Sequence, residues 1–312
     1  MRQRLENKVV LITGAARGIG AETARRLAAR GARVSLVGLE PDRLAALAAE
    51  LGEQAVWFEA DVTDQEQLDG AVAGTVGAFG GIDAVLANAG IANNGTVAVN
   101  PPDALVRTID VNLSGVIRTI SATLPHITER RGYVMIISSA AAFTMLPGMA
   151  AYMASKAGVE QFGNALRLEV AHKGVAVGSV HPSWIDTDLV RDTKMDLETF
   201  REALEQLPWP MSAITSVEDC ADAIVDGIER RRRRVYIPRQ VGAVQALRTI
   251  TTGAIGDWIT RRQAKEMVPR MEAEVRALGR YFGSTSAGAG APRPVPLTTE
   301  PAHAGEPEPT VR

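Results

Sequence analysis

The chain has 312 residues, 46% apolar and 22% charged, with a formal net charge of −2; that suits one large α/β domain or two small ones, and it supplies no basic field for a nucleic-acid partner. The single cysteine, Cys220, excludes an internal disulfide and fits a reducing cytoplasm. No apolar run reaches the ~20 residues of a membrane span, and the first run, 9–12, is too short for the core of a cleaved signal.

Along the chain, short β-branched runs alternate with helical patterns. Residues 9–12 read as a buried strand, 19–30 as a helix rich in Ala and Arg, 34–37 as a second strand and 42–51 as a helix behind Pro41. A strand at 55–60, a helix at 64–79, a strand at 84–87 and a long helix at 102–128 follow, then a strand at 133–137, a helix at 150–173 and a strand at 175–180. Repeated β-α units predict a parallel sheet covered on both faces. Right-handed crossovers make it a Rossmann-type doubly wound α/β fold.

Beyond His181 the pattern loosens. Residues 188–210 are charged, helical in places and broken by Pro208 and Pro210; 217–229 is an amphipathic helix containing Cys220. The five arginines at 230–234 read as a solvated turn before a last strand at 235–237, with an anionic partner or a lipid surface as the alternative. Residues 241–282 carry apolar residues at helical spacing and predict two helices. From 283 to 312 the chain is mainly Gly, Ala, Pro, Ser, Thr and Glu, with almost nothing to bury, and reads as a disordered tail. The expected organisation is a single domain: a catalytic unit over 1–240, a helical extension over 241–282 and the tail.

The run Gly14-Ala15-Ala16-Arg17-Gly18-Ile19-Gly20 directly follows the first strand and opens the first helix. A pyrophosphate needs backbone N–H donors with no side chain in the way. Glycines permit the sharp turn and the close approach, and the helix N-terminus adds partial positive charge. Farther on, Tyr152 and Lys156 stand four apart on one helix and so share a face. An ammonium beside a phenol favours the phenolate, which predicts a Tyr152 pKa lowered from about 10 and a tyrosine able to give or take an alcohol proton. Ser139 ends the fifth strand, where its hydroxyl can hydrogen-bond a substrate oxygen. His172 and His181 read as ordinary histidines, and no metal site is expected.

The spacing Gly-x-x-x-Gly-x-Gly, rather than Gly-x-Gly-x-x-Gly, resembles the fingerprint of the short-chain dehydrogenase/reductase family. Further motifs similar to that family follow in order over residues 5–240. The resemblance implies that Asp61 and Val62 contact adenine, that Asn88, Ala89 and Gly90 form the motif after the fourth strand, and that Asn112 is the helix asparagine holding a water between Lys156 and solvent. It implies that Ser139, rather than Ser138, acts with Tyr152 and Lys156, and that Lys156 reaches the nicotinamide ribose. The loop from Pro182 resembles the family's carboxamide-holding loop, with the Ile185 backbone and the Thr187 hydroxyl as contacts, although Ser183 stands where glycine is usual. Gly14, Arg17, Gly18, Ile19 and Gly20 complete the expected cofactor contacts.

The cofactor is NAD or NADP. At the end of strand two, the position usually held by aspartate is Gly38. Glu40 could bind a ribose hydroxyl and favour NAD, whereas Arg17 could pair with a 2′-phosphate and favour NADP. The expected function is reversible hydride transfer between the nicotinamide and an apolar secondary alcohol or ketone, in a pocket framed by Ala141, Met145, Met149, Ser183, Trp184 and 188–210. The alternative is a cofactor-sensing or scaffolding protein without turnover. The resemblance and the small residues Ala151, Ala154, Ala157, Gly158 and Gly163 imply a homodimer or homotetramer. Peripheral contact of 241–282 with lipid stays open.

Overall fold

Strand β1 (Val9–Thr13) is buried at every position, and its side chains alternate between two cores. Val10 and Ile12 join one apolar cluster while Leu11 joins the other, as the two-residue period of a strand requires. Both faces of this strand must therefore be covered, which fits a parallel sheet. The computed structural model, describing residues 4–284, places β1 inside a seven-stranded sheet with β2 (Arg33–Gly38), β3 (Ala55–Glu59), β4 (Ala84–Ala87), β5 (Tyr133–Ile137), β6 (Ala176–Pro182) and a last strand, β9 (Arg234–Ile237). The order is β3-β2-β1-β4-β5-β6-β9, and every pair is parallel. The order reverses between β1 and β4, so a crevice opens at the carboxyl ends of those strands.

One face is covered by α1 (Gly18–Ala29), α2 (Pro41–Leu51) and α9 (Val217–Glu229), which contribute Leu27, Leu44 and Ile224, all fully buried. The other is covered by α3 (Gln65–Phe79), α5 (Gly115–Glu129) and α6 (Ala150–Glu169), through Val72, Ile120 and Val159. Each such side chain contributes about 1.5–3 kcal/mol on burial. Helix α3 starts where Asp64 accepts from the backbone N–H of Glu66 at 2.9 Å and of Gln67 at 3.2 Å, and stops at Gly80, whose φ of 77° suits glycine.

Two elements differ from the sequence reading. The helix expected over 102–128 is split into α4 (Pro102–Ile109) and α5 by one wide turn, Asp110–Ser114, in which the Gly115 N–H reaches back five residues to the Asp110 carbonyl. Asn112 sits in that turn, a kind of helix defect often found at functional sites. Beyond β9 there are three helical segments rather than two: α10 (Val241–Ala246), α11 (Arg248–Thr251) and α12 (Ala254–Leu278). Apolar spacing alone could not locate the breaks between them. The region after β6 holds α7 (Asp188–Asp196) and α8 (Glu198–Gln206), with a two-stranded sheet of β7 (Trp184–Ile185) and β8 (Ile214–Thr215).

Helix α12 returns to the body of the protein. Met271 and Val275 are buried in a cluster with Val62, Ile91, Leu197 and Phe282, the carboxylate of Glu274 accepts from Thr199 Oγ1 at 2.8 Å, and the Asn94 N–H donates to the Tyr281 carbonyl at 2.7 Å. The predicted tail lies outside the described residues, apart from Gly283 and Ser284. The arginines at 230–234 form the turn into β9. Arg231 has a φ of 47°, Arg230 and Arg232 pair with Asp226, and Arg234 pairs with Glu160. Among the described residues no helix is long and apolar enough to cross a membrane.

Candidate active site

The glycine turn is shaped by three different constraints. Gly14 has a φ of 64°, and a Cβ there would lie 2.8 Å from the Ala89 Cα. Gly18 has a φ of 54°. A Cβ on Gly20 would collide with the Gly14 carbonyl oxygen. Asn88 clamps the turn from β4: its Nδ2 donates to the carbonyls of Thr13 at 3.0 Å and Gly14 at 3.1 Å, while Thr13 Oγ1 accepts from the Asn88 N–H at 3.1 Å. Helix α1 opens with Arg17 in an extended conformation, with no side-chain cap and no acid in its first turn. Its first N–H groups are left for an anion.

This turn forms one wall of a cleft of about 230 Å³. Gly14, Arg17, Gly18, Ile19, Glu40, Asp61, Val62, Asn88, Ala89, Gly90, Tyr152, Lys156 and Thr187 border it, as do Gly38 and Arg107. Arg17 and Glu40 are ion-paired, Nε to Oε2 at 3.2 Å. Asp61 accepts from Arg107 at 2.9 Å and from Thr63 Oγ1 at 2.8 Å. Burial raises the Asp61 pKa, but those hydrogen bonds outweigh it and the carboxyl sits below its usual range. The cleft fits a dinucleotide: a backbone cradle that a Cβ would fill, an uncapped helix N-terminus, and polar groups at the far end.

A second cavity, of about 100 Å³, adjoins the cleft and is bordered by Ser138, Ser139, Ala141, Leu146, Met149, Pro182, Ser183, Trp184, Ile185 and Met211. Pro182 and Ile185 thus face this cavity rather than the cleft, and Thr187 borders both. Met145, expected in the pocket wall, is replaced there by Leu146. Ser183 is not among the described residues with positive φ, so its loop turns without glycine.

Tyr152 stands in the wall common to cleft and cavity. The Ser139 hydroxyl accepts from the Ala141 N–H at 3.1 Å and lies within hydrogen-bonding reach of the phenol. Lys156 is 4% exposed; its Nζ lies 5.5 Å from the centre of the Tyr152 ring and donates to the Ile137 carbonyl at 3.0 Å. The lowered Tyr152 pKa expected from the sequence does not appear: burial raises it, and the Ser139 hydrogen bond only partly opposes this. The ammonium stands over the ring face, and burial also pushes Lys156 down to about 8. Without a charged neighbour at the phenol oxygen, desolvation wins.

Asn112 is fully buried and does a scaffold's work here. Its Oδ1 accepts from the Ile91 N–H at 2.8 Å, and its Nδ2 donates to the Ile91 carbonyl at 2.8 Å and to Ser155 Oγ at 3.1 Å. Gly90 lies between Asn112 and Lys156, where a Cβ would meet Asn112 Oδ1 at 3.2 Å. His181 is buried against Phe143 and Tyr236 and bonded to Ser179 at 2.9 Å; burial pushes it down to about 4, so it is neutral. Sequence reasoning missed Arg107, whose partner Asp61 is 46 residues away; of the 188–210 segment expected to frame the pocket, Leu189 borders both cleft and cavity.

A family model described as short chain dehydrogenase matches residues 8–198. The chain is 37% identical over 226 residues to the glycine betaine reductase ATRR of Emericella nidulans, covering 71% of this chain and 17% of that longer protein. It is 36% identical over 255 residues to the oxidoreductase SadH of Mycobacterium tuberculosis, covering 78% of this chain and 91% of the relative. It is 34% identical over 271 residues to the (−)-trans-carveol dehydrogenase of Rhodococcus erythropolis, covering 77% and 98%. Among solved structures, gox2181 matches with a TM-score of 0.69 at 25% identity, covering 76% of this chain and 97% of that one. A short-chain dehydrogenase/reductase of Burkholderia phymatum, solved in complex with NAD, matches in fold with a TM-score of 0.68 at 22% identity, covering 78% and 93%.

Proposed function

The chain belongs to the short-chain dehydrogenase family and is an NAD(P)-dependent oxidoreductase acting on CH–OH groups, and from that premise we propose that it interconverts an apolar secondary alcohol and its ketone with Tyr152 as the general acid and base. The observation that carries this reading is the position of Tyr152 in the one wall shared by the cleft and the adjoining cavity. A carbonyl carbon held in the cavity is thereby set against the cleft, with its oxygen toward the phenol.

A nicotinamide held in the cleft by the glycine turn, Asn88 and Lys156 would supply or accept the hydride. In reduction, the neutral Tyr152 phenol gives its proton to the carbonyl oxygen, and Ser139 donates a hydrogen bond to the same oxygen as charge develops there. The Lys156 ammonium, over the ring, offsets the phenolate left behind. Asn112 fixes the Gly90–Ile91 segment against that lysine. In oxidation the phenolate takes the alcohol proton. The cavity wall, with Ala141, Leu146, Met149, Trp184 and Met211, favours an apolar substrate, and the carveol dehydrogenase relative acts on an alcohol of that character by its name. A pure cofactor sensor has no chemical need for a serine, a tyrosine and a lysine gathered at this wall.

The test is a panel of secondary alcohols and ketones followed at the nicotinamide absorbance with both cofactors. Turnover of apolar members above polar ones supports the reading. Turnover of none, with cofactor bound, overturns it.

A further inference from the structure

The far end of the cleft carries a closed set of side-chain bonds that the chemistry at Tyr152 does not use. Asp61 follows β3, and Arg107 stands in the last turn of α4. The Oδ1 of Asp61 accepts from the Thr63 N–H and from Thr63 Oγ1, both at 2.8 Å. Its Oδ2 accepts from Arg107 Nη2 at 2.9 Å, and Arg107 Nη1 donates to Thr63 Oγ1 at 2.8 Å. The three side chains therefore close a ring, with the guanidinium fork turned onto its two neighbours.

A carboxylate offers about four acceptor directions. Thr63 fills both on Oδ1 and Arg107 fills one on Oδ2, so among the described residues one direction on Oδ2 is unused. Asp61 and Arg107 both border the cleft, beside Val62 and Val111, and their side chains keep 22% and 21% of their surface. An acceptor-only group with one direction left suits a single N–H donor on a ligand. A carbonyl oxygen in that place would meet negative charge.

The other charged groups nearby are engaged elsewhere. Glu40 and Asp188, in the same cleft wall, lie beside Arg17; Asp110 at the end of α4 pairs with Arg118; Asp64, on the same loop as Asp61, caps α3. Lys156 also borders the cleft, but its Nζ donates to the Ile137 carbonyl. Burial pushes the Asp61 carboxyl up, and Thr63 and Arg107 together hold it below its usual range. With Arg107 gone, only Thr63 opposes burial and the carboxyl takes its proton at higher pH. A protonated carboxyl donates as well as accepts, and it no longer tells an amine from a carbonyl.

We propose that Arg107 is a positioning residue for base selection: it holds Asp61 as an acceptor with one open direction at the cleft wall, so that the cleft takes a dinucleotide whose base presents an amine at that edge and rejects one presenting a carbonyl oxygen. This rests on the cleft being the dinucleotide site. Sites built to hydrogen-bond a ligand group discriminate sharply against the analogue lacking it.

The test is calorimetric titration of the full chain with whichever of NAD and NADP it prefers and with the hypoxanthine counterpart, which has a carbonyl oxygen in place of the adenine amine. The wild type is expected to bind the adenine form at least tenfold more tightly, with the same ratio at pH 5.5 and pH 8. Arg107→Met lowers the ratio to within about twofold at pH 5.5 and leaves more of it at pH 8, so the preference becomes pH-dependent. Arg107→Lys, which keeps the cation but not the fork, lowers the ratio but keeps it independent of pH. Affinity for nicotinamide mononucleotide, which has no base, is unmoved by Arg107→Met. If that variant does not fold, Arg107→Lys and the wild-type ratio decide. Equal wild-type affinity for the two bases, a ratio that Arg107→Met leaves high at both pH values, or an equal loss of mononucleotide affinity would overturn the role of Arg107 while leaving the cleft as the dinucleotide site. Binding of neither dinucleotide contradicts both.

Discussion

Arg17 and Glu40, the two residues that argue for opposite cofactors, are bonded to each other, Nε to Oε2 at 3.2 Å. Their side chains are 22% and 27% exposed, and a partly exposed pair of this kind contributes about 0.2–1 kcal/mol. A ligand group can displace it. A 2′-hydroxyl would take Glu40, and a 2′-phosphate would draw Arg17 away from Glu40.

The two selectivity mutations are therefore expected to be coupled. Glu40→Ala removes one of the carboxylates beside Arg17, whose guanidinium also lies 3.9 Å from Asp188, and shifts the ratio of kcat/KM values toward NADP, about tenfold or more. Arg17→Ala shifts it toward NAD. The double variant departs from the sum of the two, since the residues touch. Strict additivity, or a ratio unmoved by either change, would show that the pair faces solvent rather than the adenine ribose.

Lys156 gives a pH dependence with a definite sign. Its folded pKa is lowered to about 8 from 10.5 by burial, so between those values the unfolded chain binds more protons and folding stability rises with pH. Below pH 8 both states are charged and the burial penalty is paid in full. The gain across the window is on the order of 3 kcal/mol, and Lys156→Met should lack it. Denaturant melts of the cofactor-free proteins at pH 7.5 and 10 measure the difference; parallel pH dependence of the two would contradict the lysine's burial as a charged group. For the same reason ketone reduction is expected to slow as pH rises through about 8 and the ammonium is lost, while the Tyr152 phenol, raised by burial, remains protonated.

The C-terminal extension is expected to matter and the tail is not. Truncation after Ser284 leaves Met271, Val275, Tyr281 and Phe282 in their cluster and should change thermal stability and rates little. Truncation after Gln240 removes all four and exposes Val62, Ile91 and Leu197. It should lower the melting temperature and promote aggregation. Equal melting temperatures and rates for the two truncations would place α12 outside the folded enzyme.

An assembly surface is expected on the outer side of α6, although Ala151 and Gly163, two of the small residues that suggested it, are buried within the subunit. Ala154, Ala157, Ala165 and Leu168 are exposed there, and small residues permit close approach of a second helix. A dimer or tetramer mass by light scattering is expected, and Ala157→Arg should reduce it. A monomer mass at micromolar concentration would contradict this.

The parts of the site that were legible in the sequence are local. Tyr152 and Lys156 share a helical face by spacing, and the glycine turn follows from strand, turn and helix in succession. What was hidden depends on distant residues. Nothing near Arg107 announces Asp61, and nothing in the extension announces that Met271 and Val275 would pack against Val62, Ile91 and Leu197. The break at Asn112 was invisible because the apolar pattern runs through it. The direction of the Tyr152 shift differs from the expectation because spacing says that a lysine is near but not that its ammonium lies over the ring, nor that Lys156 is buried and the phenol desolvated.

The central claim is that Tyr152 moves the proton. Tyr152→Phe removes one oxygen from the wall between cleft and cavity and leaves the glycine turn, Asn88 and Lys156 in place. General acid–base catalysis is worth about 10²–10⁴-fold. The decisive measurement is kcat of this variant on any working substrate, alongside cofactor affinity by titration. The expected result is a loss of at least a hundredfold in kcat with cofactor affinity nearly unchanged; a variant keeping more than about a hundredth of the wild-type rate would contradict the role assigned to Tyr152.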